Sequence, residues 1–298
     1  MTRERRAAGL ILLAACGYGS LSVGTALADR AGVTLTALMA WRYTLAAPVL
    51  LVAAGGIGKM RVPMGRALGL LLLGGGGQTL ITWLSLSSLA WLSAASLGFL
   101  FYTYPAWVAL FAALAGTERL TPLRIGALAI ALFGITLMVG SPWNMALPWT
   151  GVARALGAAV IYALYIPLIH RLRGPLEASV ASIYVVIGAA VVFLAIAGAG
   201  GTLLTGMSPS QFALAFTLAA FSTAVAFIAF LRGLEVLGPV RTAILSTVEP
   251  FFTALLAAAV LGQRVGPSVL AGGVTIVVAI LLLQRSGTPA IPAVPSPD

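Results

Sequence analysis

The sequence predicts an all-α integral membrane protein, with ten transmembrane helices arranged as two inverted five-helix repeats and both termini cytoplasmic. Three observations carry this expectation. Of the 298 residues, 60% are hydrophobic and 8% charged, against roughly a quarter charged in soluble domains, so lipid must solvate much of the surface. The apolar residues fall into ten segments, 7–28, 35–55, 66–88, 92–115, 122–140, 150–170, 177–198, 210–232, 239–261 and 266–285. Each is near the length of about twenty residues with which a helix crosses a bilayer. Finally, residues 89–137 align without a gap on 234–282, with twelve identities in forty-nine positions, where so biased a composition gives about five by chance. Pro105 falls on Pro250, Arg119 on Arg264 and Pro122 on Pro267. The repeats are drawn at 1–145 and 146–285, followed by a Pro-rich tail, 286–298, expected to be a disordered cytoplasmic extension.

The elements follow in order. Segment one opens on MTRERR and resembles a signal sequence, but its apolar run of about 22 residues has the length of a span. It is read as an uncleaved first helix carrying Cys16 and Tyr18. Segment two holds Arg42 and Pro48. Segment three carries Gly74–Gly77, then Gln78, Thr79 and Thr82, a backbone able to approach a neighbour closely or to bend. It nearly fuses with segment four around Trp91, so the connection is expected to be tight. Segment four brings Phe101, Tyr102, Tyr104, Pro105 and Trp107, and segment five is Gly-rich. Segment six carries Tyr162, Tyr165 and Pro167, segment eight Ser222 and Thr223, and segment nine Ser246, Thr247, Glu249 and Pro250. Trp91, Trp143 and Trp149 stand at segment ends, as an interfacial belt requires.

Orientation comes from the basic residues. With the N-terminus inside, thirteen of seventeen are cytoplasmic: Arg3, Arg5, Arg6, Lys59, Arg61, Arg66, Arg119, Arg124, Arg171, Arg173, Arg232, Arg241 and Arg285. Arg30, Arg154 and Arg264 fall outside, and Arg42 lies within the membrane. That bias obeys the positive-inside rule. Five spans per repeat oblige the second copy to enter from the opposite side, and carriers so built hold their substrate near mid-depth, where the repeats meet. Sixteen of the basic residues are Arg, the usage of a GC-rich bacterial genome, so the expected location is a bacterial inner membrane.

Several classes are excluded. The net charge of +10 is scattered in short runs between spans, so no nucleic-acid partner is expected. A lone Cys16 offers no disulfide or zinc chemistry. The one histidine, His170, rules out HExxH, and GxSxG and Walker loops are missing. No enzyme activity, cofactor or metal is therefore expected, and an oligomeric ring of like residues, as in a channel, does not emerge from one duplicated chain. Transport without covalent chemistry remains. The expected partners are a small-molecule solute and the bilayer, and the expected state a monomer or weak dimer.

Candidate binding residues follow from the cost of polar groups in lipid. Arg42 and Glu249 are the two ionisable side chains well inside spans. Arg42 either binds a substrate carboxylate or is tied to backbone and hydroxyl groups as a structural element, the reading favoured for it. Glu249 either takes up a proton or a substrate amine, or is likewise structural. Tyr18, Tyr102, Tyr104, Tyr162 and Tyr165 are candidates to stack on planar or apolar solutes and offer hydroxyls to their polar ends, or to fill core. Gln78, Thr79 and Thr223 are candidate polar lining, or back-bond to their own helices. Pro105 and Pro250 are candidate hinges, against the alternative of static kinks.

Three stretches, YPAWVALFAALAGTERLTPLRIGALAIALFGITLMVG (104–140), EPFFTALLAAAVLGQRVGPSVLAGGVTIVVAILL (249–282) and WRYTLAAPVLL (41–51), resemble the EamA-type members of the drug/metabolite transporter superfamily. The resemblance runs from about Gly9 to Gln284. It implies a ten-helix carrier for small organic solutes. The aromatic residues make the chain similar, within it, to the YddG-type exporters of aromatic amino acids. Export of amino acids leads, with proton-exchange efflux of cationic drugs and uptake of a sugar or nucleotide conjugate as alternatives. The last would want several cavity Lys or Arg residues, and only Arg42 is deep enough. One departure is Gln263, where the family usually carries Glu; the first repeat keeps it as Glu118.

Overall fold

The computed structural model describes residues 3–88, 90–92, 94–118, 120–139, 148–203 and 206–285. Arg119, Trp143 and the tail 286–298, placed above by sequence, lie outside them. The described residues form no strand. The helices are α1 (Arg3–Arg30), α2 (Leu35–Ala53), α3 (Met64–Leu72), α4 (Thr79–Ser88), α5 (Ala94–Phe101), α6 (Tyr104–Leu114), α7 (Pro122–Val139), α8 (Trp149–Arg173), α9 (Ala178–Ala199), α10 (Pro209–Thr217), α11 (Ala226–Ser246), α12 (Glu249–Leu261) and α13 (Pro267–Arg285). Helix occupies every one of the ten expected segments. Among the described residues, seven stretches are long and apolar enough to cross a membrane, and Pro122–Met138, Glu249–Leu261 and Pro267–Leu283 are shorter apolar helices.

The ends have local causes. Thr34 caps α2 by accepting from the Ala37 N–H at 3.3 Å, and Ser208 and Gln211 form a capping box at α10. Pro122, Pro209 and Pro267 sit in first turns, where a missing N–H costs nothing.

Two boundaries differ from the sequence expectation. A loop expected at 233–238 is instead helix up to Leu237, because Gly233, Leu234 and Leu237 continue a buried face. The chain turns at Gly238 alone, at φ 73°, and Pro239 restarts the helix. The second difference concerns segments four and nine, expected to be continuous. The chain breaks at 102–103, between α5 and α6, and at 247–248, between α11 and α12. Pro105 and Pro250 each fall in the first turn of the new half-helix. The turns match: Ala106 N–H bonds to Thr103 and Phe251 N–H to Val248, at 2.9 and 3.0 Å. Each proline thus starts a helix rather than bending one.

A second matched pair was not legible in sequence. Leu73–Gln78 joins α3 to α4 as a π-helical turn, and Leu218–Val225 joins α10 to α11 in the same way. The two begin 145 residues apart, the spacing of the repeat.

Packing between the halves shows their relation. In α1 against α10–α11, Gly17 faces Ala226, Ser20 hydrogen-bonds Ser222 at 2.7 Å and Gly24 faces Leu218. In α3–α4 against α8, Gly69 faces Leu172, Gly77 faces Tyr165 and Leu84 faces Gly157, the same antiparallel register shifted by one repeat. Helices at corresponding places in the two copies also pair antiparallel. Thr36 meets Thr202 and Tyr43 meets Phe193 where α2 lies on α9. Gly134 meets Ile276 and Met138 meets Gly272 where α7 lies on α13. Equivalent helices of the two copies thus run antiparallel where they meet.

Small residues permit these crossings. A Cβ on Gly74 would run into the Val185 carbonyl, and one on Gly188 into that of Leu71, so α9 and the first π turn touch backbone to backbone. At the end where α1 begins, three ion pairs tie elements together: Arg124 with Glu118 at 3.0 Å, Arg173 with Glu235 at 2.7 Å, and Arg241 with Glu4 at 3.4 Å. Glu118 also accepts from Val240 N–H at 3.3 Å, capping the helix that restarts after Gly238.

Candidate functional site

The breaks in the two interrupted helices place Tyr104 and Glu249 at equivalent first positions of α6 and α12. Around these two half-helix starts lies an aromatic cluster. Tyr104 meets Tyr162 edge-on at 4.7 Å between centroids, and Phe101 stacks on Tyr162 at 5.6 Å. Phe101 also touches Tyr102 at 5.8 Å and Tyr104 at 5.7 Å, while Tyr162 reaches Tyr165 at 6.1 Å. Offset and edge-on contacts at these separations are favourable ring geometries.

Tyr102 lies beside the Glu249 carboxyl, within interaction reach of it. Tyr104 and Tyr162 lie within electrostatic reach of that carboxylate. Tyr18, packed on Phe230 at 6.0 Å, completes the group within reach of Tyr162, Tyr165, Glu249 and Tyr43. Tyr104 and Tyr165 are buried, whereas Tyr18, Phe101, Tyr102, Tyr162 and Glu249 remain partly accessible. The partly accessible members pack against the buried ones, which set their angles. The Tyr165 hydroxyl is buried without a hydrogen-bond partner.

Arg42 forms the second group. It is 4% exposed and donates to the Thr223 hydroxyl at 3.0 Å and to the Met39 sulfur at 3.2 Å. Its guanidinium lies 4.2 Å from the Tyr43 ring centroid. Its Nε has no partner, and no carboxylate pairs with it among the described residues. A buried, permanently charged group with neutral partners alone retains unused capacity for an anion. Thr223 sits in the second π turn and also donates back to the Leu218 carbonyl at 3.3 Å. Tyr43 is the link between the groups, since both Tyr18 and Tyr165 lie within its reach.

Of the sequence candidates, Tyr18, Tyr102, Tyr104, Tyr162, Tyr165 and Glu249 converge, and Arg42 with Thr223 stands beside them. Gln78 and Thr79 do not hydrogen-bond to either charged group; Thr79 is buried and donates to its own Gly74 carbonyl at 3.4 Å. Pro105 and Pro250 mark the helix restarts. Sequence reasoning did not single out Tyr43, whose stack with Phe193 at 5.5 Å and interplanar angle of 7° fixes the Arg42 neighbourhood. Its position next to an intramembrane Arg was the available signal. His170, at the far end of α8, is not part of the cluster. No group of three or more metal-ligating side chains occurs among the described residues.

The family model for EamA-like transporters matches residues 5–140 and matches again over 149–285. Twenty-nine solved chains resemble this one. In one crystal structure the likeness has a TM-score of 0.79 and covers 95% of this chain and 98% of the other at 19% identity, a level that speaks for the fold. A search of curated proteins returns no match.

Proposed function

This chain belongs to the EamA-like transporter family, a multi-pass membrane protein acting on small solutes, and on that premise we propose that it exports amino acids, aromatic or otherwise apolar, by alternating access. The observation that carries the reading is a pair of complementary charges with a ring-lined wall between them. Glu249, beside Tyr102, offers a partner for an ammonium. Arg42, without an acid of its own, offers one for a carboxylate. Tyr43 and Tyr18 bridge the two, and Phe101 and Tyr162, backed by the buried Tyr104, give an apolar side chain a surface to stack on. A zwitterion with a planar side chain uses all three features; a sugar conjugate leaves Glu249 idle.

The same reading takes the shorter apolar helices as spans, giving ten, with both termini in the cytoplasm of a bacterial inner membrane and no obligate oligomer. The inverted pairing of equivalent helices supports it, and so does the excess of Arg on the side where α1 begins. Rocking of one repeat against the other around a fixed site then exposes Glu249 and Arg42 to each face in turn. Exchange of a proton for the substrate amine at Glu249 would couple export to the proton gradient.

A second reading has one observation in its favour: a single carboxylate in a cage of tyrosines also suits an organic cation. Flux in proteoliposomes separates the two. Labelled phenylalanine and a quaternary ammonium are loaded in turn, with and without a proton gradient. Amino-acid flux abolished by both Arg42→Gln and Glu249→Gln is the expected result. Cation flux alone, sensitive to Glu249→Gln and indifferent to Arg42→Gln, would sink amino-acid export.

A further inference from the structure

At the end of the bundle where α1 begins, α1 and α11 lie together, with Ile11 against Gly233. Beyond that contact they enclose an open notch of about 460 Å³ lined by Arg3, Arg6, Ala7, Leu10, Arg232, Glu235 and Val236. Arg3 and Arg6 share a helix face at a spacing of three, and Arg232 approaches from the facing helix. All three are exposed. The two nearest acids are engaged elsewhere: Glu235 with Arg173 at 2.7 Å and Glu4 with Arg241 at 3.4 Å. Arg3, Arg6 and Arg232 have no ion-pair partner among the described residues. A surplus of positive charge is therefore held at the rim, with Ala7, Leu10 and Val236 forming apolar walls.

We propose that this notch binds the phosphate headgroup of an anionic phospholipid, with the three guanidinium groups on the phosphate and the acyl chain along the α1–α11 walls. Location decides between a lipid and a free anion. The charges stand at the end of a span, at headgroup depth, and the walls turn apolar within one helical turn. Basic pockets between helix ends recognise lipid headgroups by this combination. The proposal rests on membrane insertion and not on the transported solute.

The test uses full-length protein in a neutral detergent, read by thermal unfolding and by native mass spectrometry. Added phosphatidylglycerol should raise the midpoint of the wild type and remain bound in the gas phase. Phosphatidylcholine and inorganic phosphate at equal concentration should do neither. In Arg3→Gln/Arg6→Gln/Arg232→Gln, apparent affinity for phosphatidylglycerol should fall on the order of a hundred-fold, while Arg61→Gln, at an exposed site elsewhere, keeps it. All of these side chains are exposed, so folding is not at stake, and Arg→Lys replacements at the same three sites should restore most of the binding. An equal response of the triple variant, or of the wild type to phosphatidylcholine or inorganic phosphate, overturns the proposal.

Discussion

Glu249 and Glu118 show how opposite demands are met by one residue type. Glu249 is partly accessible and lies beside Tyr102; a hydrogen bond from that hydroxyl to a charged carboxylate is worth about 1.5–3 kcal/mol. Tyr102→Phe is therefore expected to weaken transport by roughly ten- to a hundred-fold, with unfolding temperature nearly unchanged, as flux and scanning fluorimetry would report. Glu118 is a structural group outside the spans. Burial raises its carboxyl above the ordinary range, and the Val240 N–H and Arg124 only partly offset this. A raised carboxyl favours the protonated form in the fold, so its contribution is complete below the ordinary value near 4.3 and is lost as pH climbs through the raised one. Glu118→Gln should then cost little at neutral pH, and the wild type should gain on this variant upon acidification. Glu118→Ala, which removes the acceptor of the Val240 N–H, should cost about 1–3 kcal/mol. Denaturation of the two variants across pH checks both. The intramembrane charges and tyrosines were legible because ionisable and hydroxylated residues in lipid advertise themselves. The role of Glu118 was not, since its partner Val240 lies 122 residues away and only helix packing brings the two together.

At the level of elements, the ten helical segments were readable from apolar length, but their interruptions were not. LGGGGQ and LAAFSTAV carry no period that distinguishes a π turn from an α-helix, and such turns recur at functional sites. The proline positions were visible, yet whether they kink a helix or start one depends on the turn before them. Because both start one, Pro105→Ala or Pro250→Ala should leave solute binding and the helix starts intact, measurable as an unchanged Kd and an unfolding midpoint shifted by the equivalent of no more than about 1 kcal/mol. The glycine crossings make a sharper demand. Gly74→Val places a side chain against the Val185 carbonyl, where backbone must move; overpacking of this kind costs about 1–3 kcal/mol. A lowered midpoint is expected there, and no comparable drop for Gly76→Val, whose Cβ meets nothing within 4 Å.

For the whole molecule, the arrangement of sides remains the central prediction. In a Cys16→Ser background, single cysteines replacing Arg5 and Arg232 should react with an impermeant reagent from the cytoplasmic side, and those replacing Arg30 and Arg154 from the other. Labelling of Arg5→Cys and Arg154→Cys from one face would refute the topology. Duplication was legible from sequence because Pro and Arg positions survived at constant spacing. The partner of each helix was not, because a repeat says which elements are alike and not which ones touch.

The paired π turns and paired helix breaks also carry a history. An irregularity present at the same place in both copies is most simply inherited from a single five-helix ancestor that already had it. The differences, Tyr104 against Glu249 and Glu118 against Gln263, arose after the copies parted. The joints are thus shared while the side chains beside them are not: one copy presents a phenol where the other presents a carboxyl, so a backbone with matched breaks offers two chemically different faces at equivalent places.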